Sequence, residues 1–372
     1  MNKKILITTE SLDIGGVETS LLSLIKELKK YKVEIDLKVL KKGQLSEEFE
    51  NICNVEIIST KQSKKNLLNR ILKNIRCKSF LKKYKNDKNY DIAIAYYGIN
   101  NYSDMYVAAS NAKKKFIWVH CNFHDLYLLS KYKPIIKLRN KIISKKFSYF
   151  DKIIAVSESA RKGFVAEFPK YISKVSVINN LFSTERLSKK DEDLNINIKG
   201  NKNLVYIGRL DKLKNVDFLI REFQKVIEEI EDAKLYIIGD GPEMNNLKFL
   251  SKQLGLENKI IFLGMQKNPF KFLDKMNVNV SASKAEAYAT NLIESLAMNK
   301  YFVSAANNGA KDIFYETNNA DLNNGIICES EYIHYHILYY LKNQQKIIPN
   351  FDIKTFNQKI LCQIEEMLKI EK

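Results

Sequence analysis

The sequence predicts an α/β fold of two doubly wound, Rossmann-like domains in tandem, and three observations predict it. Short β-branched runs alternate with longer amphipathic stretches from end to end, the pattern of parallel strands covered on both faces by crossover helices. The rhythm lapses around residues 183–201, where Ser188-Lys189-Lys190-Asp191-Glu192-Asp193 is too polar for either element, and then restarts. A chain of 372 residues also exceeds what one hydrophobic core organises. The expected division is a first domain over 1–185, a linker over 186–202, a second domain over 203–345, and a C-terminal helix within 346–372 that packs back toward the first domain.

In the first half the runs 4–8, 34–40, 91–95, 116–119, 152–156 and 175–178 read as buried strands. The first of them feeds Gly15-Gly16 and then the helical spacing of Leu21 to Leu28. In the second half the strands are 204–207, 234–238, 259–262, 278–280 and 301–304, each followed by turn residues and a helical pattern. Gly208, Gly239 with Gly241, and Gly264 fall directly after strands, on the rim where a parallel sheet meets its ligands. Any doubly wound fold needs small residues there, so no single glycine marks a site.

No window of about 18 uncharged apolar residues is present to cross a bilayer. The apolar residues before Thr9 are too few for a secretory h-region and run into the Gly15-Gly16 turn, so cytoplasmic residence is expected. Cys53, Cys77, Cys121, Cys328 and Cys362 are odd in number, widely spaced and without a C-x-x-C pair, which argues against a disulfide framework and a zinc knuckle. The net charge of +18 favours polyanionic neighbours: nucleic acid, anionic lipid headgroups or phosphorylated ligands. Its sign does not choose among them, and an AT-rich genome inflates Lys by itself. Two runs concentrate the charge. Residues 61–88 hold eleven Lys/Arg against one acid, Asp87, around Leu67, Leu68, Ile71, Leu72 and Ile75, and residues 131–146 hold seven basic residues and no acid. They fit an anionic membrane surface as well as they fit solvated helix faces. Nucleic acid is disfavoured, because the runs carry aliphatics where single-strand binders carry aromatic platforms.

Three segments carry candidate chemistry. Asp13-Ile14-Gly15-Gly16-Val17-Glu18 lets backbone N–H groups approach an anion at a helix N-terminus, although it is not the G-x-G-x-x-G of dinucleotide sites. Gly208-Arg209-Leu210-Asp211-Lys212-Leu213-Lys214-Asn215 puts two cations, Arg209 and Lys214, beside a helix start, where they neutralise a diphosphate leaving group without a bound metal. A solvated basic turn is the bland alternative. The third segment runs from Ser283 to Glu294 and places Glu286 in a loop and Glu294 about one turn inside a helix. A carboxylate among Leu292, Ile293 and Leu296 is costly unless satisfied, by a local cap or pair or by the vicinal hydroxyls of a ribose or hexose. His120, in Trp118-Val119-His120, stands at a strand end, where a satisfied core histidine is the competing reading. His124 follows four residues later, but their strand-to-loop setting does not make a metal pair.

Taken in order, these segments resemble the GT-B fold, retaining glycosyltransferases of family 4, also termed group 1. Gly15-Gly16-Val17-Glu18 matches the family's G-G-x-E loop, Gly208 to Asn215 its G-R-L-x-x-x-K-[GN] loop, and Glu286 with Glu294 its E-x7-E motif. Residues 151–159 (DKIIAVSES) resemble the end of its first domain, and the likeness runs from residue 4 to about 325. The resemblance implies two Rossmann-like domains facing a central cleft, the first on the acceptor side and the second binding a nucleotide-sugar. It implies that Arg209 and Lys214 hold the donor pyrophosphate, that Glu294 binds the ribose and that Glu286 contacts the transferred sugar. His120 then lies at the donor sugar, while Gly15, Gly16, Gly208 and the amides of Asn291 and Leu292 shape the phosphate cradle. The implied reaction needs no cofactor or metal. It moves a sugar, from UDP-sugar by family frequency, to a glycan or lipid-linked acceptor of bacterial surface polysaccharide at the inner face of the membrane. This chain departs from the family at Ala287 and Ala289, where glycines are usual, at Asn299-Lys300-Tyr301 in place of Gly-x-Pro, and at Gly309-Ala310-Lys311-Asp312 in place of Gly-Pro-x-Glu. Those changes leave donor identity open. The alternatives are a nucleotide-sugar epimerase on the same fold and a catalytically silent transferase-like partner.

Overall fold

The computed structural model describes residues 2–58, 88–98, 101–188, 198, 202–316, 324–343 and 351–370. The chain divides into two compact units, one made of Met1–Phe182 with Phe356–Lys372 and the other of Ser183–Thr355.

The first unit holds β1 (Lys3–Ser11), β2 (Val33–Lys41), β3 (Asn54–Ile57), β4 (Asn89–Ala95), β5 (Asn111–Val119), β6 (Lys152–Ala155) and β7 (Val175–Val177). All pair in parallel, in the order β3-β2-β1-β4-β5-β6-β7. Ile5, Leu6 and Ile7 of β1 are buried, as a central strand covered on both faces requires. One face packs Ile117, Val119 and Ile153 on Phe123, Phe147, Phe164 and Phe168, whose rings meet mostly edge to face. Strand order reverses between β1 and β4, so their carboxyl ends open a switch-point crevice in this unit. The returning C-terminal segment is bonded into the same unit. Phe182 N–H donates to the Asn357 side chain at 3.1 Å, the Asn357 amide donates to Phe182 O at 2.8 Å, and the Tyr31 hydroxyl donates to Glu365.

The second unit holds β8 (Asn203–Ile207), β9 (Lys234–Ile238), β10 (Ile260–Gly264), β11 (Val278–Ser281), β12 (Tyr301–Ala305) and β13 (Gly325–Cys328). These are parallel in the order β10-β9-β8-β11-β12-β13, so the switch point here lies between β8 and β11. Leu204, Leu235, Val278 and Val303 face Leu219, Phe223 and Val226 of the strongly amphipathic Val216–Glu229 helix.

Every strand expected from the sequence is present, and β3 and β13 are additional. Both lie at sheet edges. A short helix, Thr184–Ser188, occupies the start of the polar stretch read as linker. The basic residues 61–87, with Cys77, lie outside the described residues. No helix among the described residues is long and apolar enough to cross a membrane.

Candidate functional site

In the second unit the sequence after β8 is folded by its own side chains. The Tyr206 hydroxyl donates to Arg209 O at 2.9 Å, and a Cβ on Gly208 would stand 2.8 Å from that hydroxyl, so glycine is needed at this turn. Asp211 Oδ1 accepts from the N–H groups of Leu213 and Lys214 at 3.0 and 3.2 Å, the Asx turn expected of an Asp in this position. Asn215 then takes a left-handed φ of 56° and opens the Val216–Glu229 helix. Lys284 N–H donates to Leu213 O at 2.8 Å, which joins this loop to the one after β11 at the switch point.

That junction delivers Lys214 to Glu286. The ammonium lies 2.5 Å from Glu286 Oε1, and both side chains are largely withdrawn from solvent. Glu286 is held from behind as well. A Cβ on Gly309 would come within 2.5 Å of the Glu286 carbonyl oxygen, so the Asn308–Glu316 helix starts hard against that backbone. Asn307 donates to Ser283 O at 3.1 Å and accepts from Ala310 N–H at 3.0 Å, closing the same loop. Arg209, the other cation named from the sequence, is 71% exposed, and its Nε lies 3.6 Å from Asp211 Oδ2, too far for a hydrogen bond. The structure therefore gives one fixed cation and one outward-facing cation where the sequence implied two fixed ones.

Glu294 stands one turn inside the Thr290–Ala297 helix between buried Ile293 and Ser295. No described residue donates a hydrogen bond to its carboxyl, so it serves as neither cap nor local pair. Burial pushes its pKa up to about 8, with the Arg186 guanidinium pulling the other way. The helix start is fixed by a buried network in which Asn279 Nδ2 donates to Asn291 O and to Ser295 Oγ at 3.1 and 2.7 Å. Of the amides expected in a cradle, that of Leu292 is already donated to Ala289 O at 3.0 Å within the first turn.

Arg186 was not legible as a site residue, since nothing in the sequence connects a linker arginine to Glu294. Its guanidinium donates to Lys267 O at 2.5 Å and lies 5.7 Å from the centre of the Phe270 ring.

In the first unit, Gly15 is the extended N-cap of the Gly16–Leu28 helix, and the position a Cβ would take there is 2.6 Å from Glu18 Oε2. The anion expected over Gly15-Gly16 is thus met first by the chain's own carboxyl, which burial pushes up to about 7. His120 follows β5. Its ring packs against Tyr96 with centroids 4.9 Å apart, and burial holds its pKa down to about 3 despite a hydrogen bond with the Tyr96 backbone. Its Nε2 is buried and has no hydrogen-bond partner, so the reading of His120 as a satisfied core histidine is corrected. His124 turns instead to Glu167, with Nδ1 3.1 Å from Oε1.

The second-unit rim therefore offers an ammonium neutralised by a carboxylate, together with a buried carboxyl that holds its proton at neutral pH. Residues 14–186 match the family described as Glycosyltransferase Family 4, and residues 188–349 match Glycosyl transferases group 1. Among curated relatives, an uncharacterized glycosyltransferase of Methanocaldococcus jannaschii is 35% identical over 52% of this chain, which spans 48% of that protein. The N-acetylgalactosamine-N,N'-diacetylbacillosaminyl-diphospho-undecaprenol 4-alpha-N-acetylgalactosaminyltransferase of Campylobacter jejuni is 27% identical over 84% of this chain and 83% of that one. Among solved structures, Anabaena HepE in complex with UDP and glucose superposes with a TM-score of 0.74 at 18% identity, covering 98% of this chain and 100% of that one. At that identity the likeness shows the fold, which is GT-B.

Proposed function

Since the chain belongs to the family 4, group 1 glycosyltransferases, we propose that it transfers a sugar from a nucleotide-diphosphate donor, a UDP-sugar, to a lipid-linked glycan, retaining the anomeric configuration and using no metal. One observation carries this reading: Lys214 and Glu286 meet at the β8/β11 switch point, where an open α/β sheet binds its ligand.

When a diphosphate arrives, Lys214 exchanges the Glu286 carboxylate for a phosphate oxygen, and Arg209 swings in from solvent to share the charge. Cations that meet the leaving group as its charge develops lower the barrier more than they tighten ground-state binding. Glu286, released, accepts from hydroxyls of the transferred sugar. Glu294 accepts from the vicinal ribose hydroxyls, the partners its carboxyl lacks, and the Asn291 amide points to phosphate. On the first unit, His120 is a neutral imidazole whose Nε2 meets a substrate hydroxyl, and Gly15 and Gly16 admit substrate once Glu18 turns away. No side-chain nucleophile is assigned. The departing phosphate takes the acceptor proton on the front face, which retains configuration.

UDP is favoured because HepE was crystallised with UDP, with UDP-glucose and with UDP and glucose, and Staphylococcus aureus TarM was crystallised with UDP. The lipid-linked acceptor, and with it a role in surface polysaccharide at the cytoplasmic face of the membrane, follows the diphospho-undecaprenol in the name of the Campylobacter relative.

The test is turnover of a UDP-sugar panel by purified protein with a polyprenyl-diphosphate glycan, with and without EDTA, and with the product anomer assigned by NMR. Lys214→Ala should lower kcat by about 10²–10³. An inverted product, an EDTA-sensitive rate or unchanged turnover in that variant would overturn the reading. Epimerised sugar in place of transfer would favour the epimerase.

A further inference from the structure

We propose that Arg186 is a positioning residue for the donor: anchored short of Glu294, its guanidinium stabilises the Glu294 carboxylate while leaving the carboxylate oxygens to the ribose of the nucleotide. The inference deepens the proposed function and rests on its donor reading.

Local chemistry sets the placement. Ser183 Oγ accepts from Arg186 N–H at 3.2 Å and so starts the short Thr184–Ser188 helix. Leu187, the next residue, packs against a buried cluster that includes Phe270, Leu273 and Met276, and Met298 packs against the same cluster. Met298 N–H donates to Glu294 O at 3.1 Å, so one apolar cluster gathers the helix of Arg186 and the helix of Glu294. The guanidinium itself is held by the turn after β10, through its bond to Lys267 O and its approach to the Phe270 ring. That turn is folded by its own side chains: Gln266 Nε2 donates to Leu263 O at 2.7 Å, and Asn268 Oδ1 accepts from Phe270 N–H at 3.2 Å.

A direct salt bridge would occupy the oxygens a ligand needs. None forms between these two among the described residues, and Arg186 acts by its charge alone, against the burial that favours the protonated acid. The other charged groups around the helix are engaged elsewhere. Lys214 meets Glu286, Asp312 and Glu316 act on the Tyr288 hydroxyl, and Lys300 donates to Asp274 O. Arg209 and Glu185 are exposed. Neutralising the carboxyl from a fixed distance, with its acceptors left open, is what a site that must ionise only around its ligand requires.

The experiment is calorimetric titration with UDP from pH 7 to pH 9.5, using the parent, Arg186→Met, Arg186→Lys, Glu294→Gln and the Arg186→Met, Glu294→Gln double variant. Affinity of the parent should rise with pH and level off above about 8, because the ionised carboxyl is the form that accepts from ribose. Arg186→Met should bind about tenfold more weakly at pH 7 and approach the parent toward pH 9.5, its rise displaced upward by about one pH unit. Arg186→Lys keeps the charge, so its rise should stay with that of the parent. Glu294→Gln should bind without the rise, and adding Arg186→Met should leave that profile flat. Without nucleotide, the pH at which Glu294→Gln begins to melt above its own parent should likewise move up by about one pH unit in the Arg186→Met background. A purely structural role for Arg186 would weaken binding by the same factor at every pH, and that result, or an unshifted rise, would overturn this inference alone. A parent that binds no UDP would overturn the donor reading and this role with it.

Discussion

Burial raises the pKa of Glu294 more than the Arg186 guanidinium lowers it, and that gives the free protein a pH dependence of definite sign. Its pKa stands near 8 in the folded chain against about 4.5 unfolded, so the folded state holds the proton more tightly across that window. The associated stability is full below pH 4.5 and is lost as the pH rises through 8, by about 2–4 kcal/mol. Glu18, pushed to about 7 by burial, adds a smaller loss of the same sign. Glu294→Gln should therefore melt higher than the parent at pH 9 and alongside it at pH 5, as calorimetric scans across that range would show. On the proposed reading, ribose hydroxyls donate to this carboxyl and favour its ionised form, so UDP binding at pH 7 should expel a proton. Titration calorimetry in buffers of different ionisation enthalpy would reveal it as a buffer-dependent heat. That Glu294 needed a partner was legible, because a carboxyl amid Leu292, Ile293 and Leu296 stands out in any helical reading. Its isolation and the approach of Arg186 were not, since both depend on which distant loops fold over the helix. The Lys214–Glu286 pair was hidden for the same reason, its members being 72 residues apart.

At the scale of elements, the loops after β8 and β11 act as one piece because backbone and glycine contacts leave them no slack. Gly309→Ala would push a methyl into the Glu286 carbonyl, and since the two nearest atoms are backbone and the third is the Glu286 Cβ, the strain should cost about 1–3 kcal/mol. Turnover should fall further than the melt implies, as Glu286 moves with its backbone; paired melting and rate measurements would check this. In the first unit, Lys146→Met strands the Asp104 carboxylate in the interior and should cost about 3–5 kcal/mol in urea unfolding, while adding Asp104→Leu should recover most of it. The strands were readable where burial on both faces writes an apolar run, as in β1 and β9. β3 escaped because Asn54, Val55, Glu56 and Ile57 form a largely exposed edge with no such run. β13 escaped because four residues opening with glycine carry too little pattern to separate from a loop.

For the whole molecule, the ordered set of motifs disclosed the fold and the family, since glycine turns and paired charges after strands are fixed by local geometry. The composition of the first unit is less local. It is closed by residues from the far end of the chain, with Ile360, Ile364 and Leu368 buried alongside the bonds to Phe182 and Tyr31. Deleting residues 356–370 should cost that unit about 3–6 kcal/mol, read as a lowered first transition in a thermal scan. The same arrangement sets an order of events during synthesis. The first sheet leaves the ribosome long before the piece that completes it, and at about 5–20 residues per second the gap is on the order of ten to thirty seconds. Throughout that wait the nascent first sheet is missing its closing helix while the second assembles, so a premature stop late in the message yields a chain whose earliest-made half is the part left unfinished.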